Sequence, residues 1–522
     1  VNRKLDFPTL LLFTALLLGA IIRFYPAASN GFPLNDGGMF YTMIRDLKAN
    51  RYILPQFTTY NFVDIPFAYP PLGFYIAALL SGLLDVSELW VLLYLPALIN
   101  TISIFLFYKF AERTLGSRMS ASLAVLVFAL SPRSFLWQVM GGGITRSFGA
   151  LFLLLFLCKA MQLFKNKNTK ELILMILFGA GAILSHPQTA FHAVLGGTLI
   201  FIFYGFSKRG FVSAFFCSLG VALVTAPWWF TVLTRYGLQP FISAGQTSQR
   251  ALESYLGVLK FEGPGDYLFF PTLLFALIGF WATFKHQEFF LITWAMLAYL
   301  IDPRGGVGIA FLALSMLAGL GLLKFPAWIS RSDSEQACPE FDRRVDAVFM
   351  KPKVQIMLLG LIFYFVLVAS IFDFQLINTS LKADDLEMID WVKSNVGGKK
   401  TFLLVTGSEF SMSDPLQEWF PALTNQYSAT TMQGLEWTLG AGFFPWYDQL
   451  IAFQHCADVN CINEWSADNG VDYDYLIVTI PPGSDENKLA TSLRSLAIST
   501  RSSVMHLLVY ESESSLVFKV TK

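Results

Sequence analysis

The fold turns on Pro71–Leu84, PLGFYIAALLSGLL. This stretch is apolar, but it is shorter than the ~20 residues that a spanning helix needs. It is either a short span or a helix lying at, or dipping into, the membrane surface. Eleven other stretches are candidate spans: Phe7–Tyr25, Leu89–Phe110, Met119–Leu136, Ser147–Phe164, Glu171–Ser185, Gln188–Phe206, Phe211–Leu233, Tyr267–Phe284, Glu288–Ile301, Gly306–Phe325 and Val354–Phe372. If Pro71–Leu84 does not cross, alternate loops collect the basic residues on one face. These are Arg3 and Lys4; Lys109, Arg113 and Arg118; Lys165, Lys167 and Lys170; Lys208 and Arg209; Lys285; and the group from Lys324 to Lys353. If it does cross, most of these clusters change sides. Cytoplasmic loops carry the excess of Lys and Arg, so Pro71–Leu84 is expected not to cross. About eleven spans follow, with the N-terminus in the cytoplasm and the C-terminus outside.

Composition requires a membrane protein. Of the 522 residues, 54% are hydrophobic and only 14% are charged, against about 25% charged in soluble domains. So few charges cannot cover a soluble surface of this size. Disordered, collagen-like and disulfide-scaffold classes are excluded on the same grounds. The 37 basic and 37 acidic residues cancel, which leaves no basic excess for a nucleic-acid partner. The first span is long and lacks a small-residue cleavage site, so a retained signal anchor is expected. Val1 suits either an alternative bacterial start codon or a cut made within a longer chain, and the expected location is a bacterial cytoplasmic membrane.

From about Ile377 the texture changes. ADDLEMIDWVKSN reads as an acidic helix; TFLLVT, DYLIVTI and HLLVY read as strands, with SLVFKV closing a hairpin. The division is therefore a transmembrane part, 1–376, whose first outer loop spans 26–88, and an external α/β domain, 377–522. Cys456 and Cys461 lie in that domain and are either a small disulfide loop or two free thiols. No Cys/His spacing suits zinc. No low-complexity segment is present, nor an inverted repeat of the transporter kind.

This topology gathers the unusual polar residues on the outer face. The first outer loop carries Asp36 ahead of Gly37 and Gly38, either a carboxylate with backbone free to approach a ligand or an Asp-Gly turn. Arg146 follows three glycines at a helix start. That is an anion site or an interfacial Arg reaching for water. His186 sits in a tight SHPQ turn and either serves the site or faces water. Asp302 and Arg304 lie between two short spans and either pair with each other or serve a ligand, since a charge at bilayer depth costs about 2.5–3.5 kcal/mol. Gln246, Gln249, Arg250 and Glu253 form an amphipathic outer stretch, an interfacial helix or a binding segment.

Asp36, Tyr41 and the run Tyr69-Pro70-Pro71-Leu72 together resemble the C-type (GT-C) membrane glycosyltransferases. The likeness is to the protein mannosyltransferase-like group, which includes the transferase that adds aminoarabinose to lipid A. Many members carry Asp-Glu where this chain has Asp36-Gly37, and His where it has Tyr69. The tail stretch Glu418–Trp437 looks like tails on bacterial relatives. The resemblance implies a GT-C-like fold, a juxtamembrane Pro71–Leu84 and a polyprenyl-phosphate-linked sugar as donor. The acceptor class (protein, lipid or glycan) stays open, as does a divalent metal, Mg or Mn, which Asp64 could join Asp36 in holding.

The chemistry suits few residues. A phosphate leaving group is already a stable anion, so the acid that glycosidases use is unnecessary. One base and one or two cations suffice. By match to the family motif, Asp36 takes the acceptor proton; the resemblance also implies Arg304 as a donor-phosphate cation, while Arg146 and His186 join the donor phosphate and lipid site on the topology alone, with Tyr69 of the motif beside them. Tyr41, Asp64, Arg250 and Asp302 are candidate substrate contacts. Two other readings remain: a transporter or flippase of lipid-linked glycans, and a non-catalytic glycan-binding membrane protein. Finally, residues 378–522 hold 9 basic and 18 acidic side chains, so the neutral total hides an acidic tail and a basic remainder.

Overall fold

A computed structural model describes residues 6–246, 270–303, 305–329, 349, 351–408, 411–480 and 488–521. Helix α1 (Phe7–Asn30) starts at Asp6, whose Oδ1 accepts the Thr9 N–H at 3.2 Å, and ends at Gly31 in the left-handed region, φ 71°. The first loop then forms α2 (Gly38–Ala49) and α3 (Leu72–Leu84). There follow α4 (Glu88–Leu115), α5 (Arg118–Leu130), the short α6 (Leu136–Val139), α7 (Gly143–Phe164), α8 (Leu172–Ser185) and α9 (Pro187–Ile200). Next are α10 (Lys208–Tyr236), α11 (Gln239–Gln246), α12 (Phe270–Lys285), α13 (Phe290–Ile301), α14 (Gly306–Ile329) and α15 (Pro352–Ile377).

Each of the eleven expected spans coincides with a helix. Seven are long and apolar enough to cross a bilayer: α1, α4, α7, α9 with its π-turn extension to Gly205, α10, α14 and α15. The chain is a multi-pass membrane protein. Helices α5, α8, α12 and α13 are shorter. The sequence pattern runs the third span to Leu136, but α5 stops at Leu130. Pro132 has no N–H to donate to the turn before it, which favours a break, and a 3₁₀ turn, Pro132–Ser134, takes over. Every residue of α5 from Met119 to Leu130 is buried. It packs along α1, α4 and α14 at the centre of the bundle, as a helix apolar on all sides should.

The C-terminal part opens with α16 (Ala383–Asn395), followed by β1 (Thr401–Val405), α17 (Pro415–Thr424), β2 (Tyr427–Ser428), α18 (Phe443–Gln454), α19 (Val459–Asp468), β3 (Tyr475–Thr479), α20 (Lys488–Arg501), β4 (His506–Glu511) and β5 (Ser515–Val520). The sheet order is β2-β1-β3-β5-β4. β1 runs parallel to both neighbours, while β5 is antiparallel to β3 and β4. The central strands are covered on both faces, which explains their unbroken apolar runs. Phe402, Leu404 and Ile477 face one cluster; Leu403, Leu476 and Val478 face the other. Cys456 and Cys461 are joined, with Cα atoms 5.6 Å apart.

The first of these clusters does not belong to the tail alone. Phe402, Trp419 and Phe420 share it with Met39, Phe40 and Ile44 of α2 and with Phe74, Ala77 and Ala78 of α3. Helix α3 therefore lies at the end of the bundle that carries the C-terminal domain, packed against α2, α4, α7 and α8. The first loop and the tail form one apolar body seated on the membrane helices.

Candidate active site

Two glycine-rich turns meet at the domain-side end of the bundle, NDGG (35–38) between α1 and α2 and MGGG (140–143) before α7. The Gly141 N–H donates to the Leu34 carbonyl at 2.8 Å. A Cβ at Gly142 would sit 2.6 Å from Asp36 Oδ2, and one at Gly141 would fall on the Asp36 carbonyl oxygen. Gly37 adopts φ +126°, which side-chain-bearing residues avoid. Only glycine permits this approach.

The approach fixes Asp36. Its Oδ1 accepts the Gly142 N–H at 2.8 Å and its Oδ2 accepts Arg146 Nη2 at 2.8 Å. The pair is mostly buried, with side-chain exposures of 12% for Asp36 and 26% for Arg146. Arg146 also donates through Nη1 to the Trp137 carbonyl and lies 5.4 Å from the Trp137 ring centre. Of the two readings the sequence left open for Arg146, the geometry is that of an anion site at the glycine-rich start of α7, and the anion it holds is the Asp36 carboxylate.

Other residues singled out by sequence surround this pair. The Tyr69 hydroxyl is 3.3 Å from Thr145 Oγ1, and its ring is 6.4 Å from His186 and 5.6 Å from Trp437. His186 Nδ1 is 3.3 Å from Thr189 Oγ1. Asp302 Oδ2 receives Gln188 Nε2 at 2.8 Å and His192 Nε2 at 3.1 Å, and its Oδ1 accepts the Gly305 N–H. Asp302 is therefore tied to α9. Tyr69 thus joins His186 to the neighbourhood of the Asp36–Arg146 pair, and Asp302 is held beside His186 through Gln188 and His192 of the helix that follows it. Tyr41 instead packs against Trp419, ring centres 6.0 Å apart, with Arg45 over its other side. Asp64 is exposed on left-handed backbone, φ 48°, and no hydrogen bond or ion pair joins it to Asp36. Arg304 and Arg250 lie outside the described residues. So do Gln249 and Glu253 of the outer stretch; Gln246 ends α11, which packs on the Leu435–Trp437 turn.

A magnesium ion at a phosphate site is held by one or two carboxylates together with substrate phosphates and water. Both Asp36 oxygens are engaged by N–H donors, and among the described residues no group of three His, Cys, Asp or Glu side chains comes together.

Glu418 is the residue that sequence reading missed. It projects from α17 into the first loop, where Oε1 accepts the Gly37 N–H at 2.8 Å and the Met39 N–H at 3.5 Å. Its backbone carbonyl accepts the Tyr60 hydroxyl, and Trp419 Nε1 donates to the Asn35 carbonyl at 2.8 Å. The C-terminal domain thus grips both sides of Asp36. Nothing in the run EWFPAL marks the Glu, because its partners are backbone amides about 380 residues earlier.

Burial, with the Asp36 charge nearby, pushes the Glu418 carboxyl up to about 8. Between the ordinary carboxylate range and that value, the folded chain binds a proton that the unfolded chain has released. This contribution to stability is therefore full at low pH and is lost as pH rises through that window. Glu418→Gln keeps the Gly37 bond and carries no charge. It should flatten the fall in thermal stability from pH 5 to 8 and be more stable than wild type at pH 8. Parallel melting curves in detergent across that range check this; identical slopes in both proteins would reject it.

No curated protein matches the chain in sequence. A family described as a 6-pyruvoyl-tetrahydropterin synthase related domain, a membrane protein, matches residues 68–299. Among solved structures, the chain is similar to ArnT from Cupriavidus metallidurans bound to undecaprenyl phosphate: TM-score 0.59, 14% identity, 97% of each chain covered. It is also similar to the archaeal oligosaccharyltransferase AglB from Archaeoglobus fulgidus, in complex with an inhibitory peptide and a dolichol-phosphate: TM-score 0.55, 12% identity, 90% of this chain and 69% of that one. The mycobacterial arabinofuranosyltransferase AftD aligns with TM-score 0.56 and 14% identity over 98% of this chain and 40% of its own. From its first helix to its last strand, the chain has the fold of the C-type membrane glycosyltransferases, GT-C.

Proposed function

We propose that this protein is an inverting glycosyltransferase that moves a sugar from a polyprenyl-phosphate-linked donor to an acceptor hydroxyl. The observation that carries the reading is the Asp36 carboxylate, held by Gly142 N–H and Arg146 where the membrane helices meet the C-terminal domain. Structural neighbours solved with undecaprenyl phosphate and dolichol-phosphate support a lipid phosphate as the leaving group. The distribution of basic loops supports placing this end outside the cytoplasm, where soluble nucleotide sugars are absent and a donor must arrive on lipid.

The acceptor oxygen attacks the anomeric carbon from the face opposite the phosphate. The C–O bond to phosphate breaks, and its electron pair leaves on the phosphate oxygen. The proton passes to Asp36, whose oxygens each accept one hydrogen bond and keep lone-pair capacity. Arg146 spends two of its five donors on Trp137 and Asp36; the rest, with Arg304, would meet the phosphate as charge develops on it. Asp302, His186 and Tyr69 shape the donor side, and Glu418 positions the Asp36 loop. Polar groups gathered at one end suit this chemistry better than a transport path, which would place them along the bilayer.

Purified chain should release polyprenyl phosphate from a polyprenyl-phosphate sugar and give no turnover with a nucleotide sugar. Turnover with the nucleotide sugar alone would overturn the donor assignment.

A further inference from the structure

A cavity of about 440 Å³ opens where the first loop meets the C-terminal domain, and Asp36 does not line it. Its walls include Asn61 from the first loop, Tyr427 of β2, Thr431, Leu435, and Trp446 and Gln449 of α18. The volume lies in the range of small-ligand sites. None of its lining side chains is charged, although they belong mainly to an acidic domain.

That lining discriminates among ligands. A phosphate or carboxylate would find no cation, and a cation would find no carboxylate. A peptide adding to the sheet would need the free edge of β2. Asn61 already occupies that edge: its Nδ2 donates to the Ser428 carbonyl at 2.9 Å, and its Oδ1 accepts the Ser428 N–H at 2.7 Å. What remains is an indole and a phenol beside an exposed amide, Gln449, in an uncharged cleft. A sugar ring suits this combination, since its C–H face packs on an aromatic ring while its hydroxyls meet amides.

The cleft also lies close to the chemistry. Leu435 lines it, and two residues on, Trp437 packs edge-on against Tyr69, which contacts the residue before Arg146. One 3₁₀ turn, Leu435–Trp437, separates the two sites. We propose that this cleft binds an uncharged glycan segment of the acceptor, so that the acceptor is itself a saccharide chain. Binding of a neutral glycan stands by itself; calling that glycan the acceptor rests on the glycosyltransferase reading.

The test uses the full chain in nanodiscs free of glycolipid and of sugar-headed detergent. Maltotriose, mannotriose and cellotriose are the probes, with saturation-transfer NMR as the readout. At least one should bind saturably. Trp446→Ala should weaken it about tenfold or more, Trp446→Phe should recover most of that, and Gln449→Ala should weaken it less. Asp36→Asn should leave it unchanged. Absence of saturable binding by all three sugars overturns the proposal, as does full affinity in Trp446→Ala or tighter competition by a neutral Ser/Thr-rich peptide. Sugar binding without lipid-donor turnover would leave the cleft assigned and remove only the acceptor role. Turnover without sugar binding would remove the cleft and its acceptor role together and leave the glycosyltransferase reading.

Discussion

Replacing Asp36 by Asn should lower sugar transfer by about 10²–10⁴-fold, the usual contribution of a general base. The substitution is nearly isosteric. Its carbonyl oxygen can still accept the Gly142 N–H, so the NDGG and MGGG turns should stay together. What disappears is the group that takes the acceptor proton, while the donor lipid should bind with much the same affinity. Asp36→Glu should also fail. The carboxylate already sits 2.8 Å from Gly142 N, and an added methylene has no room there. Single-turnover transfer from a polyprenyl-phosphate sugar, beside a melting curve to establish folding, is the measurement. A folded Asp36→Asn protein that transfers at the wild-type rate would sink the assignment.

Arg146→Ala should be the most damaging change to stability and should also cost transfer heavily. It strips the counter-ion from a carboxylate that is only 12% exposed. Breaking such a pair from one side typically costs about 3–5 kcal/mol, because the remaining charge is left buried. The stacking on Trp137 goes with it. Lysine restores charge but not the planar fork that reaches Asp36 and the Trp137 carbonyl together, so Arg146→Lys should recover only part. The decisive comparison is a double-mutant cycle. With Asp36→Asn already in place, Arg146→Ala should destabilise far less than it does alone. Strict additivity of the two would show that the ion pair carries no coupling, and the positioning role would fall. Transfer by a folded Arg146→Ala protein at the wild-type rate would reject the phosphate role.

Much of the membrane part was legible because bilayer burial writes itself into length and composition. Each expected span has its helix, and the charge asymmetry was the ground for expecting Pro71–Leu84 not to cross; α3 packs with the first loop, with α4, α7 and α8, and in the apolar cluster of the C-terminal domain. The strands β1, β3, β4 and β5 were legible as apolar runs. β2 was not, since a two-residue strand has no period to read. The third span ran long in the pattern because apolar Phe135 and Leu136 follow the polar Ser131–Ser134 stretch, whereas the helix itself already stops at Leu130, ahead of the 3₁₀ turn Pro132–Ser134.

Sequence alone determined that this chain lives in a membrane and where its apolar helices run, and it named Asp36, Arg146, Tyr69, His186 and Asp302 among a wider set of candidates that also held Arg304, Arg250, Tyr41 and Asp64. Those conclusions rest on local quantities: apolar length, charge placement and short motifs. Tertiary structure decided what the first five touch. It turned the glycine-rich start of α7 from a free anion site into the cradle of Asp36, tied Asp302 to His192 and Gln188, and left Asp64 apart. It also brought Glu418 from the tail onto the Gly37 amide. Such pairings bring together backbone amides and side chains hundreds of residues apart. Their energy comes from desolvation that only the folded chain creates, so no window of sequence contains them.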